Sequence, residues 1–154
     1  MDYKKRSLAG QAYICDDSLY EEQKKCRKII QKLNTHDCSD FGGLHRIVEE
    51  LFGKCNEDTF VNPPFYCDYG KNIEVGKNFF ANYNCTFLDV SPITLGDGVW
   101  IGANVTLATP NHPFLAEERL NADYPDGRHD LEYSAPITIK DRCWICSNVT
   151  VSGG

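Results

Sequence analysis

Residues 73–108 read IEVGKNFFANYNCTFLDVSPITLGDGVWIGANVTLA and carry the clearest periodicity in the chain. Apolar residues recur every six positions in this stretch and again near residue 140: Val75, Ala81 and Phe87; Leu95, Ile101 and Leu107; Ile139, Ile145 and Val151. Six is too long for strand alternation and does not match the 3.6-residue helical turn. It suits a short strand followed by a turn, so three units close one coil of about 18 residues. The sequence therefore predicts a solenoid of stacked, triangular coils.

Glycine follows the apolar residue at three of these positions, Gly76, Gly96 and Gly102. We expect glycine or asparagine beside the inward residue to form the corner, where positive φ is often required. Four places after the apolar residue come small or β-branched side chains: Cys85, Val99, Val105, Cys143 and Val149. The alternative is an ordinary β-sandwich with turns at Gly and Asn, which the phased spacing disfavours.

The first third of the chain has helical patterning instead. A capping box at Ser18 and Glu21 predicts the start of one helix, and Asn34 its end. A second helix is expected from Ser39 or Asp40 to Gly53. We therefore expect an N-terminal helical segment at 1–58 and a mainly β solenoid at 59–154, interrupted by a loop at 111–136.

Charge and composition exclude several classes of protein. The chain has 154 residues with 16 Lys+Arg against 22 Asp+Glu, a formal net charge of −6. It lacks the cationic surplus of a general nucleic-acid or anionic-membrane binder. The sequence shows neither a signal peptide nor an apolar run of membrane-spanning length, so a cytoplasmic protein with reduced cysteines is expected. The CxxC pair Cys143 and Cys146 has no second ligand pair, so no metal is expected.

His112 is the histidine most suited to catalysis. It lies between prolines in TPNHP, residues 109–113, where the repeat ends and the long loop begins. A histidine held at a loop mouth can act as a general base, although a structural role is an equal alternative on this basis. The other histidines, His36, His45 and His129, are expected to be solvated or structurally satisfied.

Several strings resemble those of the maltose and galactoside O-acetyltransferases, and the resemblance covers almost the whole chain. They are NPPF at 62–65, CDYG at 67–70, NFFANYN at 78–84, LDV at 88–90, TPNHP at 109–113, PITI at 136–139 and WI at 144–145. The resemblance implies a left-handed parallel β-helix that assembles as a homotrimer with active sites between subunits. It also implies direct acetyl transfer from acetyl-CoA to a sugar hydroxyl of the maltose, glucose or galactoside type.

The same resemblance implies roles for individual residues. His112 matches the general base, and Asp68, Asn82 and Asp89 match positions of the acceptor pocket. Glu132 would orient His112 or bind the acceptor, with a plain loop carboxylate as the equal alternative. For the acetyl-CoA donor, Ser147 matches a small residue near the thioester. Trp144 is expected to flank the pantetheine arm, with packing as part of the repeat as the equal alternative.

Two features depart from the family pattern. Lys140 and Cys146 stand where glycine usually follows the inward residue, so we expect strained or reshaped corners there. Relatives also continue for about two further coils, so we expect a fragment or a shortened form with impaired activity. The alternative function is a non-catalytic trimeric binding or scaffold remnant of the family. A zinc hydratase is disfavoured because only His112 is expected at a coil edge.

Overall fold

The computed structural model describes residues 2–120 and 131–154. The turn-rich stretch at 121–127 and His129 lie outside the described residues. Three helices come first: α1 (Tyr3–Leu8), α2 (Asp17–Thr35) and α3 (Phe41–Leu51). None of the helices in the described ranges offers the long apolar stretch that a bilayer crossing requires.

Helix α1 was not predicted, and the predicted bounds of the other two need correction. The side chain of Asp16, rather than Ser18, caps α2 by accepting the Leu19 N–H at 3.0 Å. Asp40 caps α3 as predicted, accepting the Gly43 N–H at 2.9 Å. Helix α3 ends at Leu51, before Gly53, and a Cβ on Gly53 would meet the Lys71 carbonyl oxygen at 2.2 Å. Gly53 therefore permits close approach to the solenoid instead of ending the helix.

Short strands follow and continue to residue 152. In chain order they are β1 (Phe60–Val61), β2 (Phe65–Cys67), β3 (Ile73–Val75), β4 (Phe80–Ala81), β5 (Cys85–Leu88), β6 (Ile93–Leu95), β7 (Trp100–Ile101), β8 (Thr106–Ala108), β9 (Pro110–Asn111), β10 (Tyr133–Ser134), β11 (Ile137–Ile139), β12 (Trp144–Ile145) and β13 (Thr150–Ser152). All of these strands except β9 and β10 form three parallel sheets: sheet 1 (β1-β4-β7-β12), sheet 2 (β2-β5-β8-β13) and sheet 3 (β3-β6-β11). The chain visits sheets 1, 2 and 3 in turn, as a parallel β-helix does.

The strand register confirms the predicted period. Val75 pairs with Leu95, which pairs with Ile139; the other predicted columns are Ala81, Ile101 and Ile145, and Phe87, Leu107 and Val151. The residues of the two earlier coils in these columns are buried and form one core cluster with the inner faces of α2 and α3. Apolar side chains thus stack between successive coils, and their burial stabilises the solenoid.

The corners use positive φ at a position different from the predicted one. The left-handed residue lies three positions after the inward apolar residue rather than beside it: Asn78, Asn84, Gly98, Asn104, Arg142 and Asn148. Glycine occupies the position beside the inward residue for a different reason, which is close approach of the next coil. A Cβ on Gly96 or Gly102 would lie 2.7 and 2.6 Å from a backbone nitrogen of the next coil. Lys140 and Cys146 stand beside the inward residues of β11 and β12, and both strands pair in phase with the coil before them.

The long loop leaves the solenoid between sheets 2 and 3. It starts with β9, continues into a short helix α4 (Ala116–Leu120), and returns through β10, which pairs antiparallel with β9. This pairing sets Tyr133 opposite Asn111, so Glu132 and His112 each lie one residue beyond the paired positions, on the side of the loop. The two ends of the loop are therefore fixed against each other at the edge of the solenoid.

Candidate active site

Four of the predicted site residues share one edge of the solenoid. Asp68, Asp89, His112 and Glu132 all lie in connections from sheet 2 to sheet 3, a region named here the acidic edge. Asp68 follows β2, Asp89 follows β5, and His112 and Glu132 flank the loop strands. Because successive coils stack, these connections lie above one another and bring the side chains into one region.

Asp89 is completely buried, so its side chain is not a direct ligand contact in this conformation. Its carboxylate accepts the backbone N–H groups of Asp68 at 3.0 Å, Tyr69 at 2.9 Å and Asn72 at 3.2 Å. Burial raises the pKa of Asp89 to about 6, although the backbone donors oppose that rise. Asp89 therefore shapes the turn that carries Asp68, which is a positioning role.

Asp68 is the more accessible acid of the pair. Burial and the nearby Glu132 carboxylate raise the pKa of Asp68 to about 6, while the Arg27 guanidinium on α2 opposes the rise. A carboxyl group with this pKa changes charge close to neutrality. At this edge Asp68 can accept hydrogen bonds from a polyol, and it can donate one when protonated.

Glu132 is held by a residue that the sequence did not single out. The Tyr13 hydroxyl donates a hydrogen bond to Glu132 Oε2, and the backbones of the two residues pair as an isolated antiparallel bridge. The same peptide region holds the histidine, because His112 Nδ1 lies 3.1 Å from the Leu131 carbonyl oxygen. The partner of Nδ1 is thus a backbone carbonyl and not the Glu132 carboxylate. The His112 ring is otherwise exposed.

Asn82 and Trp144 lie elsewhere, on sheet 1 near its edge with sheet 2. They border an open groove of about 400 Å³. Its full lining is Phe80, Asn82, Trp100, Ile101, Gly102 and Trp144, and this set is named here the aromatic groove. Ser147 lies at the adjacent corner, where its hydroxyl accepts the Ala103 N–H at 3.1 Å. The structure thus brings three predicted residues together away from the acidic edge.

The aromatic groove belongs to a longer column of rings on the outer face of sheet 1. Phe60 and Phe80 stack with centroids 6.1 Å apart, and Phe80 meets the Trp100 ring edge-on at 6.2 Å. Trp100 and Trp144 pair in register and are 57% and 72% exposed. Trp144 is therefore not buried packing within this chain, which favours a ligand or a second copy as its partner.

Sequence reasoning missed Tyr13, Leu131 and Trp100. Trp100 could have been found, because it occupies the same repeat position as Trp144, one coil earlier. Leu131 acts through its carbonyl oxygen, for which a side-chain pattern has no signal. Over residues 2–120 and 131–154, no group of three or more His, Cys, Asp or Glu side chains is arranged to hold a metal ion.

Comparisons with known proteins agree with this architecture. Residues 6–56 match the maltose acetyltransferase hexapeptide capping motif. The fold superposes on a galactoside acetyltransferase solved in complex with coenzyme A, with a TM-score of 0.89 and 34% identity over 100% of this chain and 74% of that one. A maltose O-acetyltransferase from Clostridium difficile 630 gives a TM-score of 0.79 and 33% identity over 100% and 85%. The predicted left-handed parallel β-helix of hexapeptide-repeat proteins is thereby confirmed.

Similarity to curated proteins covers a smaller share of their length. The galactoside O-acetyltransferase of Escherichia coli K12 is 34% identical over 125 residues, which is 80% of this chain and 61% of that protein. Nodulation protein L of Rhizobium meliloti is 32% identical over 75% of this chain and 64% of its own length. The chain thus spans about three fifths of the length of these relatives.

Proposed function

Because this chain belongs to the maltose and galactoside O-acetyltransferase family of hexapeptide-repeat proteins, we propose that it transfers an acetyl group from acetyl-CoA to a sugar hydroxyl. The acceptor is of the maltose, glucose or galactoside type. The observation that carries the proposal is the fixed His112 ring at an edge rich in carboxylates.

The hydrogen bond of His112 selects the tautomer that a general base requires. A carbonyl oxygen can only accept, so Nδ1 beside the Leu131 carbonyl carries the proton in neutral imidazole. Nε2 then has the free lone pair. Because His112 is exposed, an incoming hydroxyl can reach that lone pair. This arrangement supports His112 as the base.

The proposed reaction is a direct displacement. The sugar hydroxyl oxygen attacks the thioester carbonyl carbon while Nε2 of His112 takes the hydroxyl proton. The tetrahedral intermediate then expels the sulfur, which leaves as the thiol of coenzyme A after receiving that proton. A C–O bond forms and a C–S bond breaks, so the reaction requires no nucleophilic Ser or Cys. Positioning and general base catalysis together supply much of the acceleration.

Acceptor recognition is assigned to Asp68 and Glu132 on the acidic edge and to Asn82. Carboxylate and amide groups pair well with the hydroxyls of a polyol. Asp89 contributes by holding the turn that presents Asp68. We retain Asp89 as a site residue in this indirect role.

Donor binding is assigned to the aromatic groove. The pantetheine arm of acetyl-CoA is a flexible chain with apolar and amide portions, which suits a groove walled by Trp144 and Trp100. Ser147 would lie near the thioester end of that arm. The relative solved with coenzyme A supports acetyl-CoA as the donor.

We propose that a homotrimer completes the site. The acidic edge lies between sheets 2 and 3, whereas Asn82, Trp144 and Ser147 lie at sheet 1 and its edge with sheet 2. Two different edges of one prism face different directions, so one chain does not bring both groups to the same ligand. Rotational symmetry lets one edge of each copy meet the other edge of its neighbour.

An acetyl-transfer assay on a panel of maltose, glucose and galactosides tests the proposal through release of the free thiol of coenzyme A. We expect His112→Ala to lower kcat by about 10²- to 10⁴-fold. The control is His36→Ala, since His36 pairs with Asp40 and belongs to neither the acidic edge nor the lining of the aromatic groove. Absence of transfer to any sugar would favour the scaffold alternative, and activity that survives His112→Ala would defeat the assigned base.

A further inference from the structure

The N-terminal segment contacts the returning end of the long loop through Tyr13. Tyr13 and Glu132 are 119 positions apart in the chain, yet the N–H of each donates to the carbonyl oxygen of the other at 3.0 Å. The Tyr13 side chain is 1% exposed, and its hydroxyl donates to Glu132 Oε2. Three hydrogen bonds thus join one buried residue to Glu132, directly before strand β10.

One peptide group links this contact to His112. The N–H of Glu132 and the C=O of Leu131 belong to the same planar peptide unit and point in opposite directions. That N–H donates to the Tyr13 carbonyl oxygen at 3.0 Å, and that C=O receives the His112 Nδ1–H at 3.1 Å. Holding one end of a rigid plane orients the other, so Tyr13 influences the direction of the oxygen that fixes the imidazole.

The Tyr13 hydroxyl also donates to a carboxylate that lies near a second acid, Asp68. The Glu132 carboxylate lies close enough to Asp68 to help raise the pKa of Asp68. A buried hydroxyl donor stabilises an ionised carboxylate in a fixed position. Burial and the Glu132 carboxylate raise the pKa of Tyr13, so the hydroxyl keeps its proton and stays a donor.

The segment that carries Tyr13 is itself anchored. The Ser7 carbonyl oxygen at the end of α1 accepts the Ser134 hydroxyl at 2.7 Å and the Ser91 hydroxyl at 3.1 Å. All three serines are buried. Gly10 passes close to the same strand, since a Cβ there would lie 3.1 Å from the Ser134 carbonyl oxygen. Tyr13 is therefore presented by a segment fixed to both the loop and the solenoid.

We propose that Tyr13 is a positioning residue, whose hydroxyl holds Glu132 and thereby steadies the Leu131–Glu132 peptide that orients the His112 ring. The inference rests on the proposed function, in which His112 is the base and Glu132 contacts the acceptor. It assigns the N-terminal segment a part in the chemistry in addition to covering the solenoid.

Tyr13→Phe removes the hydroxyl and keeps the ring. We expect kcat/KM for the sugar to fall about tenfold or more, while KM for acetyl-CoA stays unchanged. The matched control is Tyr69→Phe, which removes the hydroxyl of another buried tyrosine in the same apolar cluster. That hydroxyl accepts from Gln23 at 3.3 Å, so its loss should lower stability without lowering turnover. Urea unfolding of both variants checks that they differ in activity and not in folding.

A double-mutant cycle tests whether Tyr13 acts through Glu132. In a Glu132→Ala background, Tyr13→Phe should cause no further loss, because the carboxylate that the hydroxyl holds is gone. Additive losses would contradict a role through Glu132.

A spectroscopic readout separates this inference from the proposed function. With ¹³C-labelled histidine, the His112 ring signal, identified by its absence in His112→Ala, should move in Tyr13→Phe and stay in Tyr69→Phe. If the wild-type chain transfers no acetyl group, the proposed function is wrong. The ring signal alone then tests whether Tyr13 positions His112. An active chain whose Tyr13→Phe variant matches Tyr69→Phe in kinetics and ring signal overturns the inference and leaves the function standing.

Discussion

The acidic edge contains a buried, hydrogen-bonded carboxylate, whereas the aromatic groove leaves large apolar rings in solvent. Asp89 has no exposed surface and accepts three backbone N–H groups, while Trp144 is 72% exposed. The first region is organised within one chain, through contacts that reach from residue 7 to residue 134. The aromatic groove is walled only by residues of the solenoid and is otherwise open to solvent.

This difference indicates how the proposed reaction divides between the two regions. Proton transfer depends on fixed geometry, and the proposed base, His112, is oriented by the Leu131 carbonyl oxygen, whose peptide the buried Tyr13 holds. Donor binding tolerates a flexible arm and gains from apolar contact, so an open aromatic surface suffices. The acidic edge should therefore respond to loss of buried polar contacts, and the groove to loss of apolar surface.

The largest effect on stability is expected from Asp89→Ala. Three backbone N–H groups, one buried and two partly buried, would lose their acceptor, so we expect the free energy of unfolding to fall by about 3–5 kcal/mol in urea titrations. Asp97→Ala is the matched control, because Asp97 accepts one exposed corner N–H, from Lys77 at 2.7 Å. An equal fall in the free energy of unfolding for both variants would show that the Asp89 hydrogen bonds stabilise the fold no more than an exposed corner contact does.

The pH dependence of stability provides a second test of the same edge. The pKa of Asp89 is about 6 in the folded chain, against about 3.9 in an unfolded one, so the folded state holds more protons between these values. Stability contributed by the protonated group is therefore lost as pH rises from 4 to 6, by about 1–3 kcal/mol. Asp89→Asn should reduce this slope and Asp97→Asn should not. An unchanged slope in Asp89→Asn would contradict the raised pKa.

The smallest effect is expected at the groove. Trp144→Ala should raise KM for acetyl-CoA about tenfold, about 1.4 kcal/mol, with little change in stability because the ring is exposed. Tyr66→Ala is the control, since Tyr66 is 45% exposed on β2 and lies outside the groove. A large loss of stability in Trp144→Ala would assign the ring to folding instead of donor binding.

The solenoid was predicted accurately because the spacing of apolar residues indicates directly which side chains face the core. The nine phased residues all occupy the predicted columns. Helix bounds were less accurate, since Asp16 and Ser18 are both good caps and only local geometry distinguishes them. The glycine beside Leu95 was predicted for its φ, whereas stacking of the next coil is what demands it.

The candidate site was predictable only in part. Family strings identified the residues of both halves, but the division between two edges follows from which sheets each turn connects. The contact between Tyr13 and Glu132 had no signal, because it joins distant segments through backbone and one hydroxyl. The role of the Leu131 carbonyl is equally invisible, since any residue type supplies that oxygen.

Complementation between two inactive variants tests the central claim most directly. His112→Ala damages the acidic edge and Asn82→Ala the aromatic groove, so each alone should be nearly inactive. Unfolding the two together in equal amounts and refolding them should restore about a quarter of wild-type activity, because about one interface in four pairs an intact edge with an intact groove. A mixture no more active than its components would contradict a site completed between copies.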